Sequence, residues 1–282
     1  MKLLVTGAAG MLGRTTVQAA RDLGHDVVGL DRAALDITDA VAIENALRTH
    51  HPDAVVNCAA WTDVDGAEEH EDRARLVNGV GPRLLARAAA AADARVVHVS
   101  TDYVFDGAPH DPWVESDPVA PLNAYGRTKL EGETGVLGAG GEHAIVRAAW
   151  LYGAGGPNFV DTMLRLGAER DEVSVVTDQV GRPTWTGHLA GALVELAERR
   201  ADTGLFHAAG SGSCSWYEFA VEIFDRAGVA CRVLPTTSEE FVRPALRPAY
   251  SVLGTERDPG IVLPSWQDGL DSYLREREAV TS

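Results

Sequence analysis

This sequence predicts a doubly wound α/β fold, a parallel sheet with helices on both faces and a smaller C-terminal substrate lobe. Three observations carry the prediction. Apolar runs of strand length alternate with stretches of helical period, the first such run leads straight into a glycine-rich turn, and 282 residues at 45% hydrophobic content suffice for a large core with an added lobe.

Lys2 to Thr6 is the first strand. The apolar run before Gly7 is too short for a signal peptide or a membrane span, so Met1 is taken as the start of the fold. In the stretch Met11 to Leu23, Leu12, Val17, Ala20 and Leu23 fall on one helical face. Asp26 to Asp31 is the second strand, Ala40 to Thr49 a helix, and Asp53 to Asn57 the third strand. Alanine makes Arg83 to Ala92 strongly helical, and Arg95 to Ser100 (RVVHVS) is a buried strand in which His98 is a packed core residue. Four prolines between Gly107 and Pro121 deny a regular ladder and imply a loop over the top of the sheet. Asn123 caps the next helix, which carries Tyr125 and Lys129. Ala144 to Ala148 is a strand and Asn158 to Arg170 a helix. Beyond Gly181 the pattern loosens into a helix at His188 to Arg200, a strand at Leu205 to Ala208 and a helix at Ser215 to Ala227. Prolines at 235, 244, 248, 259 and 264 punctuate the rest of the chain, and no internal repeat or low-complexity linker appears.

A formal charge of -16 argues against partners that are themselves polyanions, so neither nucleic acid nor a membrane surface is expected. Cys58, Cys214 and Cys231 are odd in number and widely spaced, which suits reduced thiols in a cytoplasm better than disulfides or a zinc site. The acidic run Glu68 to Asp72 lacks metal-ligand spacing and reads as a solvated helix face. His50 and His51 lie at a helix end, where the dipole favours them.

Gly7, Gly10 and Gly13 follow the first strand and open the first helix. In that context Gly7 permits the tight turn, Gly10 lets backbone approach a pyrophosphate, and Gly13 lets helix and strand pack closely. Asp31 ends the second strand 18 residues past Gly13, where an acid accepts bonds from the adenosine ribose; the plainer alternative is a turn cap. Arg32 beside it is placed to meet a 2′-phosphate, which leaves NADH and NADPH both open. Residues 1–150 are therefore assigned mainly to a dinucleotide-binding Rossmann domain, and 151–282 to a mixed region that completes the sheet and forms the substrate-binding lobe.

Tyr125 and Lys129 are spaced i and i+4, hence on one helical face, and Ser100-Thr101-Asp102 ends a strand beside the glycine turn. Hydride delivery to a carbonyl puts negative charge on oxygen, which must receive a proton. Tyr125 is the expected acid, Lys129 the ammonium that lowers the phenol and holds the nicotinamide ribose, and Thr101 the hydroxyl that orients the substrate oxygen. Only two lysines occur, Lys2 and Lys129, and arginine cannot supply the same compact charge.

The segments TGAAGMLG, LDITD, VVNCAAWTDVDGAE, VSTDYVFDG, YGRTKLEGE, RAAWLYG, NFVDTML and DQVGRPT occur in this order. As a set they resemble the dTDP-4-dehydrorhamnose reductase family of extended short-chain dehydrogenases. The likeness runs to about Pro183, weakens after Gly187, and returns at ALRPAYSVL (245–253). It implies NAD(P)H-dependent reduction of the C4 ketone of a dTDP-linked 6-deoxy-4-ketohexose, such as dTDP-4-dehydro-L-rhamnose, with Thr101, Tyr125 and Lys129 catalytic. It implies Gly7, Gly10, Met11, Leu12, Asp31, Asp36, Ile37, Ala59 and Ala60 around the cofactor. Near sugar or nucleotide it implies Thr62, Val64, Asp65, Tyr103, Trp150, Asn158, Gln179, Arg182 and Pro183, although Trp150 as core, Asp65 as a cap and Arg182 as a surface charge are respectable alternatives. Some members pair through a metal held by an acid just after the glycine turn; this chain has Arg14-Thr15-Thr16 there, so no metal and a monomer or weak homodimer are expected.

Two other readings compete. A sugar-nucleotide epimerase or dehydratase would retain NAD⁺ through its cycle, but Tyr103-Val104 offers no acid/base carboxylate pair. A non-catalytic regulatory subunit of a methionine adenosyltransferase, known among relatives of the family, has no need of an intact Tyr125 and Lys129.

Overall fold

The computed structural model describes residues 1–108 and 111–281, so Pro109 of the proline-rich loop lies outside the described residues. The chain opens with β1 (Lys2–Thr6), α1 (Met11–Asp22), β2 (Asp26–Leu30), α2 (Ala40–His50) and β3 (Ala54–Asn57). Asp39 starts α2 by accepting from the Val41 and Ala42 amides, and His51 ends it in the left-handed region at φ 44°. Two short helices, α3 (Val64–Glu69) and α4 (Glu71–Arg75), run through a π-helical turn at Leu76–Val80 into α5 (Gly81–Ala91). After β4 (Arg95–Thr101) comes a 3₁₀ turn at Asp102–Val104, then α6 (Ala124–Leu137), β5 (Ala144–Ala148), β6 (Leu151–Tyr152) and α7 (Phe159–Glu169). The remainder comprises β7 (Glu172–Val176), β8 (Val180–Gly181), β9 (Thr184–Trp185), α8 (Thr186–Glu198), β10 (Gly204–His207), β11 (Cys214–Ser215), α9 (Trp216–Ala227), β12 (Arg232–Thr236) and α10 (Trp266–Thr281).

Six strands form one sheet in the order β10-β5-β4-β3-β1-β2, every neighbour parallel. Leu3, Leu4, Val5, Val55, Val56, Val96 and Val97 are fully buried, because helices cover both faces. α1 and α8 pack on one face around Leu189, Leu193 and Leu196; α2 and α5 pack on the other around Ile43, Leu47 and Leu85. The sheet thus fits the doubly wound arrangement the alternating pattern predicts. A separate core gathers Val160, Phe219, Trp266, Leu270 and Tyr273 from α7, α9 and α10, beside the parallel pair β7–β12.

The elements the sequence did not reveal have physical reasons. Pro235 lies inside β12, which tolerates it in a two-stranded sheet. α3 and α4, of six and five residues, are too short to show a period. The acidic run is not a merely solvated face: Glu68 accepts from the Ala124 amide at 2.7 Å, and Glu71 pairs with Arg127 at 2.9 Å, both clamping α6.

Behind the sheet end lies a buried ion pair. Arg147 of β5 and Glu133 of α6, each 2% exposed, meet as a fork at 2.9 and 2.7 Å, and the Ser100 hydroxyl donates to the same carboxylate at 2.6 Å. Removing one partner strands the other charge away from water. Arg147→Met is therefore expected to cost about 3–5 kcal/mol of stability, measured by urea unfolding. A loss below about 1 kcal/mol would show that the carboxylate is already tolerated without its partner.

Candidate active site

β1 pairs with β2 on one side and β3 on the other, so the chain reverses its direction of winding at β1. A crevice must open there, outside the carboxyl ends of the strands. It is a cleft of about 850 Å³, floored by the glycine turn after β1 and by Cys58, Ala59 and Ala60 after β3, and walled by Thr101, Tyr125 and Lys129.

The turn is fixed by contact. Gly7 has φ 65°, and a Cβ on Gly13 would lie 2.2 Å from the Gly7 carbonyl oxygen, so α1 starts in backbone contact with the end of β1. Gly10 is the N-cap of α1 without any side-chain cap, and no acid lies in the first turn. Free amides facing a cleft suit a pyrophosphate, so the donor set fits a dinucleotide. Met11, Leu12, Arg32, Asp36 and Ile37 line the same cleft. Asp31 does not: its Oδ1 accepts from the Ala34 amide at 2.9 Å, the turn-cap alternative. Asp36, half-buried, lines the cleft instead, its carboxyl held below the ordinary range by bonds from the Thr38 amide and hydroxyl.

Asn123 caps α6 by accepting from the Gly126 amide at 2.8 Å. That start places Tyr125 against Thr101 and Tyr103, the two tyrosine rings meeting edge to face at 5.8 Å. Burial pushes the Tyr125 phenol up to about 12, and the Thr101 hydroxyl beside it works the other way. Lys129 is 1% exposed, and its Nζ donates to the Val99 carbonyl at 2.6 Å. Burial brings Lys129 down to about 8, against the opposing charge of Glu133. That bond uses one of the three ammonium protons, and Lys129 is not among the groups that shift the Tyr125 phenol.

Of the residues implied near sugar or nucleotide, Thr62, Val64, Tyr103 and Trp150 line the cleft. Asp65, Asn158, Gln179, Arg182 and Pro183 are not among its lining residues. Asp65 receives forks from both Arg243 and Arg247, and the Arg247 guanidinium, foremost, holds its carboxyl well below the usual range. Asn158 caps α7, accepting from the Asp161 amide, while its own amide reaches the Gly153 carbonyl and the Tyr273 hydroxyl. Gln179 donates to Ser238 at 2.8 Å. Arg182 is half-buried beside Tyr250, and the Pro183 carbonyl oxygen would lie 2.4 Å from a Cβ on Gly210.

Two residues given no role from the sequence stand in the wall. Trp216 stacks on Trp150 with centroids 3.6 Å apart, a pairing between residues 66 positions apart in the chain that leaves no local signal. Asp102, 2% exposed, accepts from the Thr101 hydroxyl at 3.0 Å, while Thr101 Oγ1 accepts from the Tyr103 amide. Its place in VSTDYVFDG, next to the expected catalytic threonine, was the available clue.

Residues 1–279 match the family described as the RmlD substrate binding domain. The chain is 48% identical over 260 residues to a dTDP-4-dehydrorhamnose reductase of Streptomyces griseus, covering 90% of this chain and 86% of that one. It is 40% identical over 280 residues to the spore coat polysaccharide biosynthesis protein SpsK of Bacillus subtilis, covering 99% and 98%. Among solved structures, a dTDP-4-dehydrorhamnose reductase from Clostridium acetobutylicum superposes with TM-score 0.95 at 45% identity, covering 99% of this chain and 100% of that one. Another from Bacillus anthracis, in complex with NADP, gives 0.94 at 38% identity, covering 98% and 99%.

Burial raises the Asp102 carboxyl from 3.8 to about 6. A folded value above the unfolded one means that its contribution to stability is complete below about pH 4 and is lost as pH rises through about 6. Asp102→Asn keeps an acceptor for Thr101 and removes this titration. The stability of the variant relative to the parent is expected to rise between pH 4 and pH 7, by up to about 3 kcal/mol, in paired urea melts. An offset constant across that window would refute a raised Asp102.

Proposed function

The chain belongs to the dTDP-4-dehydrorhamnose reductase family, and from that premise we propose that it reduces the C4 ketone of a dTDP-linked 6-deoxy-4-ketohexose, with dTDP-4-dehydro-L-rhamnose as substrate and dTDP-L-rhamnose as product. It is an NAD(P)H-dependent oxidoreductase. The observation that carries the substrate reading is the convergence of Thr101, Tyr125 and Lys129 on the cleft floored by the glycine turn. Residues 1–150 are assigned to the cofactor and 151–282 to completing the sheet and holding the sugar nucleotide. Among the described residues no helix is long and apolar enough to cross a membrane.

The nicotinamide cofactor, when bound, supplies the hydride. Free amides at the start of α1 would hold its pyrophosphate, and Asp36 and Ile37 would bound the adenosine end. Tyr125 retains its proton at working pH, as an acid that must deliver it to a developing alkoxide requires. Lys129, protonated at pH 7 although deeply buried, supplies the positive charge that favours the phenolate left behind. Thr101, fixed by Asp102 and the Tyr103 amide, stands beside the phenol and keeps the substrate oxygen in line with it.

The defining experiment supplies dTDP-4-keto-6-deoxyhexoses and follows loss of NADPH or NADH absorbance, with product configuration read by NMR. No consumption with any of them would overturn the substrate class. Tyr125→Phe is expected to leave cofactor affinity within about twofold and to lower kcat by about 10²- to 10⁴-fold; undiminished turnover would remove Tyr125 from the role of acid. Because Tyr125 titrates far above neutrality, Lys129 alone should shape the basic limb. kcat/KM is expected to be level below about pH 8 and to fall above it, as the ammonium loses its proton. A profile level to pH 10 would contradict the role given to that charge.

A further inference from the structure

Trp150 and Trp216 both line the cleft, and their indoles lie face to face, the planes 4° apart and the centroids 3.6 Å apart. Of the two, Trp150 alone is implied near the sugar by the sequence, and no role falls to Trp216. The backbone beneath each ring decides which one holds the other.

At Trp216 the backbone is pinned from two directions. Trp216 is the first residue of α9, directly after the N-cap Ser215, whose hydroxyl accepts from the Glu218 amide at 3.1 Å while the Glu218 carboxylate accepts from the Ser215 amide at 2.7 Å. Cys214 and Ser215 also pair with Gly181 and Val180, as the antiparallel strands β11 and β8. Behind the ring, Phe159 of α7 packs on Trp216 at 4.5 Å.

Trp150 has no such support from its own segment. It lies between β5 and β6 at φ 46°, a left-handed conformation that a bulky residue abandons once nothing enforces it. What enforces it comes from later in the chain. Its carbonyl accepts from the Thr184 amide at 3.1 Å, Gly181 crowds one edge of the indole, and Trp216 covers a face. The face contact is the one that fixes the plane of the ring.

We propose that Trp216 is a positioning residue for the reduction: by stacking on Trp150 it holds that indole at the tilt at which a pyranose meets it, and so governs how the ketone is presented to Tyr125. The inference rests on the keto-sugar reading of the cleft and adds to it a residue that acts on the sugar through another ring. A pyranose offers a C–H surface to an aromatic side chain, and a ring already held in place loses no freedom when the sugar arrives. A misplacement of about 1 Å in a bound reactant slows its reaction by about 10²-fold, so an indole free to swing affects kcat as well as KM.

The test is steady-state kinetics on the full chain with dTDP-4-keto-6-deoxyhexoses. Trp216→Leu keeps bulk against Phe159 and removes the flat face. It is expected to raise KM for the sugar and to lower kcat, reducing kcat/KM by at least about tenfold, while KM for NADPH or NADH stays within about twofold. Trp216→Phe, which returns an aromatic face, should recover kcat/KM to within about threefold of the parent. Leu270→Ala empties a fully buried position of the same core and lowers stability, yet should leave kcat/KM within about twofold. The deciding measurement is a double-mutant cycle: in a Trp150→Ala background, adding Trp216→Leu should change kcat/KM by less than about twofold. Losses that multiply would make Trp216 an independent contact and overturn the proposal, as would an unchanged kcat/KM in Trp216→Leu or an equal loss in Leu270→Ala. If the parent reduces no keto sugar, the substrate reading fails together with the inference; if the parent turns over and Trp216→Leu matches it, only the inference fails.

Discussion

The site depends on how closely α6 can approach the end of the sheet. A Cβ on Gly126 would lie 2.1 Å from the Tyr103 carbonyl oxygen, and one on Gly132 would lie 2.1 Å from that of Asn78. The helix therefore docks backbone to backbone on the 3₁₀ turn after β4 and on the π-helical turn before α5. Glycine inside a helix costs about 0.5–1 kcal/mol each relative to alanine. The return is position: with any side chain at these points Tyr125 would be lifted away from Thr101, and the Lys129 Nζ from the Val99 carbonyl. Glu68 and Glu71 reinforce the same docking from the outside, one on the first amide of α6 and the other on Arg127.

Once docked, one face of α6 presents a phenol, an ammonium and a carboxylate at Tyr125, Lys129 and Glu133, each four residues after the last. The carboxylate is the innermost and is bound to Arg147 and Ser100. Its negative charge supports protonation of Lys129 against the burial that lowers it. The buried ion pair therefore does more than join α6 to β5. It keeps an ammonium charged in a place where desolvation favours the neutral amine.

The parallel sheet and the glycine turn were legible because both are local: four or five consecutive apolar residues and a glycine triplet declare themselves without knowledge of the rest of the chain. The α6 cap at Asn123 and the pairing of Tyr125 with Lys129 were readable for the same reason. His98 also reads correctly as core, fully buried with Nδ1 2.9 Å from the Asn57 side-chain nitrogen. Asp31 closes a turn on the Ala34 amide, a contact that spacing along a strand does not encode. Asp65, Asn158 and Gln179 are decided by partners at Arg247, Tyr273 and Ser238, which lie 182, 115 and 59 positions away. No periodicity encodes such contacts. Even α10 escaped notice, its sequence WQDGLDSYLREREAVT placing Trp266, Leu270 and Tyr273 in the core amid charged residues.

Trp150 shows how the distant half is tied to the near one. It is a non-glycine residue at φ 46°, a conformation that costs on the order of 1–3 kcal/mol and persists only where its surroundings enforce it. They do so at several points: Trp216 of α9 stacks on the indole, and Gly181 of β8 packs so close that a Cβ would lie 2.4 Å from the ring. Phe159, at the start of α7, braces Trp216 in turn at 4.5 Å. The edge of Trp150 that meets the cleft is therefore set by α7, α9 and β8, while the rim it faces is set by the sheet and α6. Any shift of these elements moves the indole relative to Tyr125, so the part of the chain with the least legible sequence sets one wall of the cleft that the most legible part floors.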